Sequence, residues 1–284
     1  MSARGPEKPM RLACSDDRGS GRPVLLVHGV SHTRCVWQTF AEGLDADDRP
    51  IAVDLRGHGE SEWSPEGHYA LYDYAADLSA TLDELGIERA VVVAHSLGGN
   101  AATLFAAAAP ERVEALVLVD TGPALSLGGA LHVVEGVGEA IRSYASIDAF
   151  REQLSMIHPA ADPALLARMA ETGLVRRRDG RFEPALDPGV LGGPLDPEAI
   201  AAIECELWDA LAAVRCPTLV VRGGLSAILS EEVAEKMTAV VLRAGQLATC
   251  AGAGHGVMLD DAPGLLRHTR RFLAALAPTG SSQP

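Results

Sequence analysis

The chain has 284 residues, 48% of them hydrophobic and only 4% aromatic, so a sizeable core must be packed mainly from Ala, Leu, Val and Gly. A formal net charge of −14 argues against nucleic acid or an anionic membrane as partner and describes an acidic protein kept apart by its own charge. The five cysteines (Cys14, Cys35, Cys205, Cys216, Cys250) are scattered and odd in number, with neither zinc spacing nor a disulfide framework, which fits reduced thiols in a cytosol.

The segment Met1 to Met10 has two prolines and no apolar run, unlike a secretory signal. No stretch approaches the ~20 apolar residues of a membrane span. The expectation is a soluble, cytoplasmic protein, monomer or homodimer, that acts on a small molecule.

Arg22–Val27 reads as a buried strand running straight into His28-Gly29, and Pro50–Asp54 as a second strand ending in a Gly/His-rich loop. Tyr72–Leu85 carries apolar residues at helical spacing and stops at Gly86. Ala90–Ala94 is a third strand, followed at once by Ser96 and a helix over Asn100–Ala109; Val113–Val119 and Pro217–Val221 are the fourth and fifth. Strand and helix alternating at this pitch predict right-handed crossovers and a mostly parallel sheet covered on both faces. Such sheets place their chemistry at the carboxyl ends of the strands.

Between Gly122 and Cys205 the rhythm breaks: glycines and prolines multiply, with helical patches at Ile147–Met156 and Pro163–Thr172. The expected organisation is an N-terminal arm (1–18), a first core part (19–122), an inserted helical cap (123–205), a second core part (206–276) and a disordered tail (277–284).

Three short segments carry chemistry. In Ala94-His95-Ser96-Leu97-Gly98, a serine stands between a buried strand and a helix, with small residues two before and two after it. That is the pattern of a nucleophile elbow, whose turn is too tight for large flanking side chains. His28-Gly29-Val30 follows the first clear strand, and nominates the backbone N–H groups of Val30 and Leu97 as an oxyanion hole. His28 itself reads as a turn-shaping histidine. Gly254-His255-Gly256 puts a histidine on a glycine-flanked loop late in the chain, where the general base of a Ser…Asp…His order belongs. Of the nine histidines, His58, His68 and His95 belong to loops in which a general base is not expected.

Together with Asp54-Leu-Arg-Gly-His-Gly-Glu-Ser61 and Arg222-Gly-Gly224, these motifs resemble the α/β-hydrolase superfamily, in its cap-bearing serine esterase and C–C hydrolase branch. The resemblance runs from Gly19 to Leu276. It implies an α/β fold with a mostly parallel sheet of the eight-stranded type, flanked by helices and carrying an inserted helical cap. It implies no cofactor and no metal. It also makes Asp54–Ser61 a structural rim loop whose Asp, Arg and His brace one another.

The resemblance also exposes a gap. Relatives read Arg-Gly-Gly-x-Ser-Asp-x-Leu-Ser after the last of these strands, and that Asp orients the base; here the loop reads Arg222-Gly-Gly-Leu-Ser-Ala227-Ile-Leu-Ser230. A methyl at Ala227 cannot accept the imidazole N–H, and such a chain would be a weakened hydrolase. Three accounts stand in this order. An engineered Asp→Ala change is favoured by the otherwise intact motif. In the second account the acid is supplied from elsewhere, with Asp120 after Val119 as the candidate, although Asp-Thr-Gly-Pro also reads as turn chemistry. The third account is a chain that has left hydrolysis altogether.

Hydrolysis of a carboxylic ester or lactone leads the functional reading. The alternatives are C–C bond hydrolysis and, in another class, a non-catalytic small-molecule-binding module. Ser96 in place of an Asp nucleophile excludes haloalkane and epoxide hydrolysis. Candidate substrate contacts are His28, Gly29, His95, Trp37 and Val257, with Trp208, Met156, Met169 and Leu131 as further apolar lining. Arg176-Arg-Arg178 reads as a solvated charge cluster, with carboxylate or phosphate binding as the sharper idea.

Overall fold

The structure is a computed structural model that describes residues 8–16, 19–124, 142–192 and 197–276. Its centre is a sheet of seven strands: β1 (Cys14–Ser15), β2 (Arg22–Val27), β3 (Asp48–Val53), β4 (Ala90–His95), β5 (Val113–Val119), β8 (Thr218–Gly223) and β9 (Gly245–Cys250). They lie in the order β1-β3-β2-β4-β5-β8-β9, all parallel except β1, which runs antiparallel to β3. Seven strands among the described residues replace the eight-stranded type expected, with the mostly parallel arrangement as anticipated. The strands β6 (Leu174–Arg176) and β7 (Phe182–Pro184) form a separate hairpin.

The central strands are unbroken apolar runs because both faces are covered. Along β4, Val92 and Ala94 point into one core cluster and Val91 and Val93 into the other. The first cluster is closed by α2 (Leu71–Glu84), α3 (Leu97–Ala108) and α6 (Pro197–Ala213), through Leu78, Phe105 and Leu211. The second is closed by α1 (Gln38–Gly43) and α9 (Ala262–Ala274), through Phe40, Leu265 and Phe272. Each fully buried side chain of this size contributes roughly 1.5–3 kcal/mol, which makes the sheet interior the stable part of the molecule. Gly86, at φ 65, takes up the left-handed position that ends α2.

Between β5 and β8, α4 (Ile147–Ile157) and α5 (Pro163–Thr172) add Leu154, Leu165, Leu166 and Met169 to the second cluster. Their starts are chemically marked: Ser146 and Asp162 accept from the backbone of Ala149 and Ala164, and Pro163 opens α5. The segment returns along the Asp54–Ser61 loop. The N–H of Asp187 donates to Gly57 (2.7 Å), Gly59 N–H donates to Ala185 (2.7 Å), and the Tyr69 hydroxyl bonds the Asp187 carboxylate. Within that loop Asp54 holds Arg34, and Arg56 is ion-paired with Asp77 in full burial at 2.6 Å. The two side chains brace neighbouring elements, not each other as the sequence suggested. Helix α6 runs through Cys205, where the sequence pattern ends the insertion.

Candidate active site

Strand β4 ends and α3 begins with one residue between them, Ser96, at φ 51 and ψ −122. A non-glycine residue in this region is strained and persists only where its surroundings hold it. Small neighbours make the turn possible: a Cβ on Gly29 would lie 2.7 Å from His95 Nδ1 and 2.8 Å from Ser96 Cβ, and one on Gly98 would strike the backbone of His28. The N–H groups of Val30, next to Gly29, and of Leu97, next to Ser96, make no loop or turn hydrogen bond to backbone among the described residues.

His255 stands on the loop after β9. Its Nε2 is 3.1 Å from Ser96 Oγ, and its Nδ1 is 2.7 Å from Asp120 Oδ2. Asp120 is fully buried at the end of β5, also at positive φ (46). Its Oδ1 accepts the N–H of Gly223 at 2.9 Å, and its Oδ2 accepts the Ser226 hydroxyl as well as His255. Of the two positions weighed for the acid, Ala227 and Asp120, it is Asp120 whose carboxylate lies beside His255. Ala227 lies exposed on the neighbouring loop, and the carboxylate beside His255 Nδ1 comes from Asp120, 135 residues away in the chain. Strand β5 lies beside β4, so its end adjoins the serine turn, and His255 reaches it from the loop after β9, across the carboxyl end of β8.

Two further histidines shape the site. The ring of His95 lies 4.5 Å from that of His255, and its Nε2–H donates to the His255 carbonyl at 2.9 Å. Burial pushes the His95 pKa well below its ordinary 6.5, so the ring is a neutral donor. His28 is equally buried and neutral for the same reason; its Nδ1–H donates to Gly29 (2.7 Å) and its Nε2 accepts from Leu55 (2.9 Å). Both its nitrogens are used inside the protein, so it braces the turn and has nothing left for a substrate.

The other sequence candidates are placed as follows. Trp37 is fully buried, edge-on to Phe40, and borders a crevice of about 860 Å³ lined also by Arg34, Arg168, Glu171 and Val175, with none of Ser96, Asp120 or His255. Val257 is core, its N–H donating to His255 O at 3.0 Å. Met169 is buried core and Met156 is exposed. Trp208 is half-buried under the Lys236 ammonium at 4.0 Å. Arg177 is paired with Asp179 and Glu183 on the exposed β6–β7 hairpin, so the arginine run is a solvated cluster. Leu131 lies outside the described residues.

His158, which no sequence motif singles out, stands at the end of α4 against Gly256. Its Nδ1 is 2.9 Å from Asp260 Oδ1, while Asp260 Oδ2 accepts the N–H of Gly254 at 2.9 Å. No spacing signal joins these residues; only the fold brings them together. Among the described residues no cluster of His, Cys, Asp and Glu is placed to hold a metal ion, no helix is long and apolar enough to cross a membrane, and the five cysteines are unpaired.

A serine at the strained strand–helix turn, an imidazole on it and a buried carboxylate on the imidazole meet at the carboxyl ends of the strands. The family model described as alpha/beta hydrolase fold matches residues 22–262. The chain belongs to this family. It is 27% identical over 275 residues to "Esterase YbfF" of Escherichia coli, covering 93% of this chain and 98% of that one. The solved structure "E-2-(Acetamidomethylene)succinate Hydrolase" superposes with a TM-score of 0.81 at 25% identity, over 94% of this chain and 96% of the other. A "Serine hydrolase-like protein" of Danio rerio is 41% identical over 102 residues, and the match spans only 31% of its length. The chain is thus an α/β-hydrolase enzyme, similar over nearly its full length to proteins named esterase and hydrolase.

Proposed function

We propose that the protein is a serine hydrolase of carboxylic esters or lactones of small metabolites, with Ser96 as nucleophile, His255 as general base and Asp120 as the acid. The reading rests above all on the unbroken chain Ser96 Oγ, His255 Nε2, His255 Nδ1, Asp120 Oδ2, with links of 3.1 and 2.7 Å. Ser96 Oγ attacks the carbonyl carbon as its proton passes to His255 Nε2. The N–H groups of Val30 and Leu97 hold the oxyanion. Collapse of the tetrahedral intermediate expels the alcohol, which takes that proton. Water then attacks the acyl-serine, giving its proton to His255, and the acid leaves as Ser96 is re-protonated. Asp120 holds His255 with its proton on Nδ1 and stabilises the imidazolium. With an acid in this role, the reason to expect weakened turnover from Ala227 falls away.

The segment between β5 and β8 is, in this reading, a cap over Ser96, and the unpaired thiols fit a cytosolic site of action. A second reading, favoured by the likeness to the acetamidomethylene-succinate hydrolase, is hydrolysis of a small dicarboxylate of that kind. A panel of p-nitrophenyl esters, lactones and such dicarboxylates, run beside fluorophosphonate labelling, tests both. Turnover with one label on Ser96 by mass, both lost in Ser96→Ala, is the expected result. A chain that binds small molecules but neither turns over nor takes the label would be a binding module, and this reading would be wrong.

A further inference from the structure

His158 stands at the carboxyl end of α4, far from His255 in the chain and against its loop in the fold. Its Nδ1 is 2.9 Å from Asp260 Oδ1; a carboxylate only accepts, so that nitrogen carries the proton. Asp260 is held in turn by the Gly254 N–H on Oδ2, and the two side chains keep only 11% and 13% of their surface exposed. The ring lies over Gly256, where a Cβ would sit 2.7 Å from His158 Cε1. The backbone of Gly256, at φ −80, is outside the left-handed region, so what asks for a glycine after His255 is room for this imidazole. His32, on the loop that carries Val30, completes the setting. Burial, and then the charges of His158 and His255, hold its pKa at about 3, which places both rings within electrostatic reach of it.

We propose that His158 Nε2 is a substrate-binding acceptor, taking a hydrogen bond from a hydroxyl or amide N–H that the substrate carries a few bonds from the scissile carbonyl. The proposal deepens the reading of Ser96 as a hydrolytic nucleophile and rests on it. With Nδ1–H given to Asp260, the neutral ring has one polar group left, the Nε2 lone pair, and that nitrogen makes no hydrogen bond among the described residues. The neighbouring imidazoles are committed. His95 donates to the His255 carbonyl, His255 bridges Asp120 and Ser96, and His32 Nδ1 is sealed in the interior. An imidazole paired with a carboxylate carries no net positive charge in either protonation state, so the pair suits a neutral donor better than an anionic group. An ester without that donor leaves the lone pair of a mostly buried side chain unpaired, which is how such a site rejects an analogue lacking one hydroxyl.

The test uses two matched pairs of p-nitrophenyl esters at pH 8: 3-hydroxybutyrate against butyrate, and N-acetylglycinate against 4-oxopentanoate. The members of each pair differ by one donor. With spontaneous hydrolysis divided out, the wild type should favour the donor-bearing ester of at least one pair by about tenfold or more in kcat/KM. His158→Phe keeps a ring and loses both nitrogens. His158→Asn keeps an N–H for Asp260 and leaves the Nε2 position empty. Both should bring the ratio to within about twofold of one, mainly through a raised KM for the favoured ester. A wild type without preference, or a preference that survives in His158→Phe, would overturn the proposal. A preference lost in Phe and restored in Asn would overturn it too, since His158 would then only brace the loop. So would a preference for p-nitrophenyl hemisuccinate that disappears in both variants, the mark of a charged ring. No turnover of any of these esters by the wild type, with no fluorophosphonate label on Ser96, would instead overturn the serine-hydrolase reading beneath it, so the two failures are told apart.

Discussion

Replacing Asp120 by asparagine isolates charge from shape. The carboxylate receives three donors: Gly223 N–H on Oδ1, and the Ser226 hydroxyl and His255 Nδ1 on Oδ2. An amide offers one acceptor oxygen and one NH₂ group. With its oxygen toward Gly223, the NH₂ faces Ser226, whose hydroxyl can rotate to accept, and His255. The imidazole must then accept at Nδ1 and carry its proton on Nε2, where it can no longer take the proton of Ser96. With the amide flipped, its NH₂ meets the Gly223 N–H in full burial, a donor–donor conflict of roughly 1–3 kcal/mol. The first arrangement wins, and it is the inactive tautomer. The equivalent change in serine proteases costs about 10⁴ in turnover, or 5–6 kcal/mol of barrier. The fold should hardly notice, because asparagine tolerates the left-handed backbone that residue 120 adopts at φ 46. The assay is kcat on a p-nitrophenyl ester beside a thermal melt. A loss of less than about a hundredfold would refute the reasoning, and so would a loss explained by unfolding.

Other expectations follow from the same geometry. Ala227→Asp should give less than a hundredfold gain in esterase activity, because His255 Nδ1 already has its carboxylate; a larger gain would restore the missing-acid account. Gly29→Ala pushes a methyl to 2.7 Å from His95 Nδ1 and 2.8 Å from Ser96 Cβ, so kcat should fall and the melting temperature drop by several degrees, at about 1–3 kcal/mol of overpacking; an unchanged melt would contradict it. Asp260→Asn removes the charged acceptor of Gly254 N–H and the partner of His158, and should lower kcat by about tenfold in steady-state kinetics, with His158→Ala milder. Burial depresses His32 to about 3 and His58 to about 4. Below the ordinary 6.5 the unfolded chain takes protons that these rings refuse, so their stability is intact above 6.5 and erodes as pH falls toward 4, by about 3 kcal/mol for His58 alone. Chemical melts at pH 7 and pH 4.5 should differ accordingly; equal stability would overturn the assignment.

Most of the fold is legible because a doubly covered parallel sheet writes itself as apolar runs: β2 and β5 fall where the sequence puts them, and α2 within a residue. Strand β3 begins earlier, at Asp48, because its first residues are polar and pair at the sheet edge with Arg22 and Pro23. Strand β9 escapes notice because Gly245-Gln-Leu-Ala-Thr-Cys250 is partly exposed and lacks a β-branched run. The serine and the histidine announce themselves through turn chemistry, which is local. The carboxylate does not: Asp120 reads as acid and as turn residue alike, since nothing local distinguishes the two. What singles it out is its contact with His255, 135 residues on, which only the folded chain brings about. His158 and Asp260 are out of reach for the same reason, being 102 residues apart and joined by one contact.

Adjacent strands β4 and β5 each hand over to a non-glycine residue in the left-handed region, Ser96 at φ 51 and Asp120 at φ 46. Each such conformation costs on the order of 1–3 kcal/mol, a sizeable share of what a domain has to spare. In the proposed mechanism these two residues are therefore a local debit against the molecule's heat resistance. A selection for thermal survival alone, blind to turnover, should drift toward glycine at position 96, where the backbone would relax and the chemistry would vanish. Homologous chains that have abandoned catalysis should accordingly be recognisable by a higher melting temperature as well as by a lost serine.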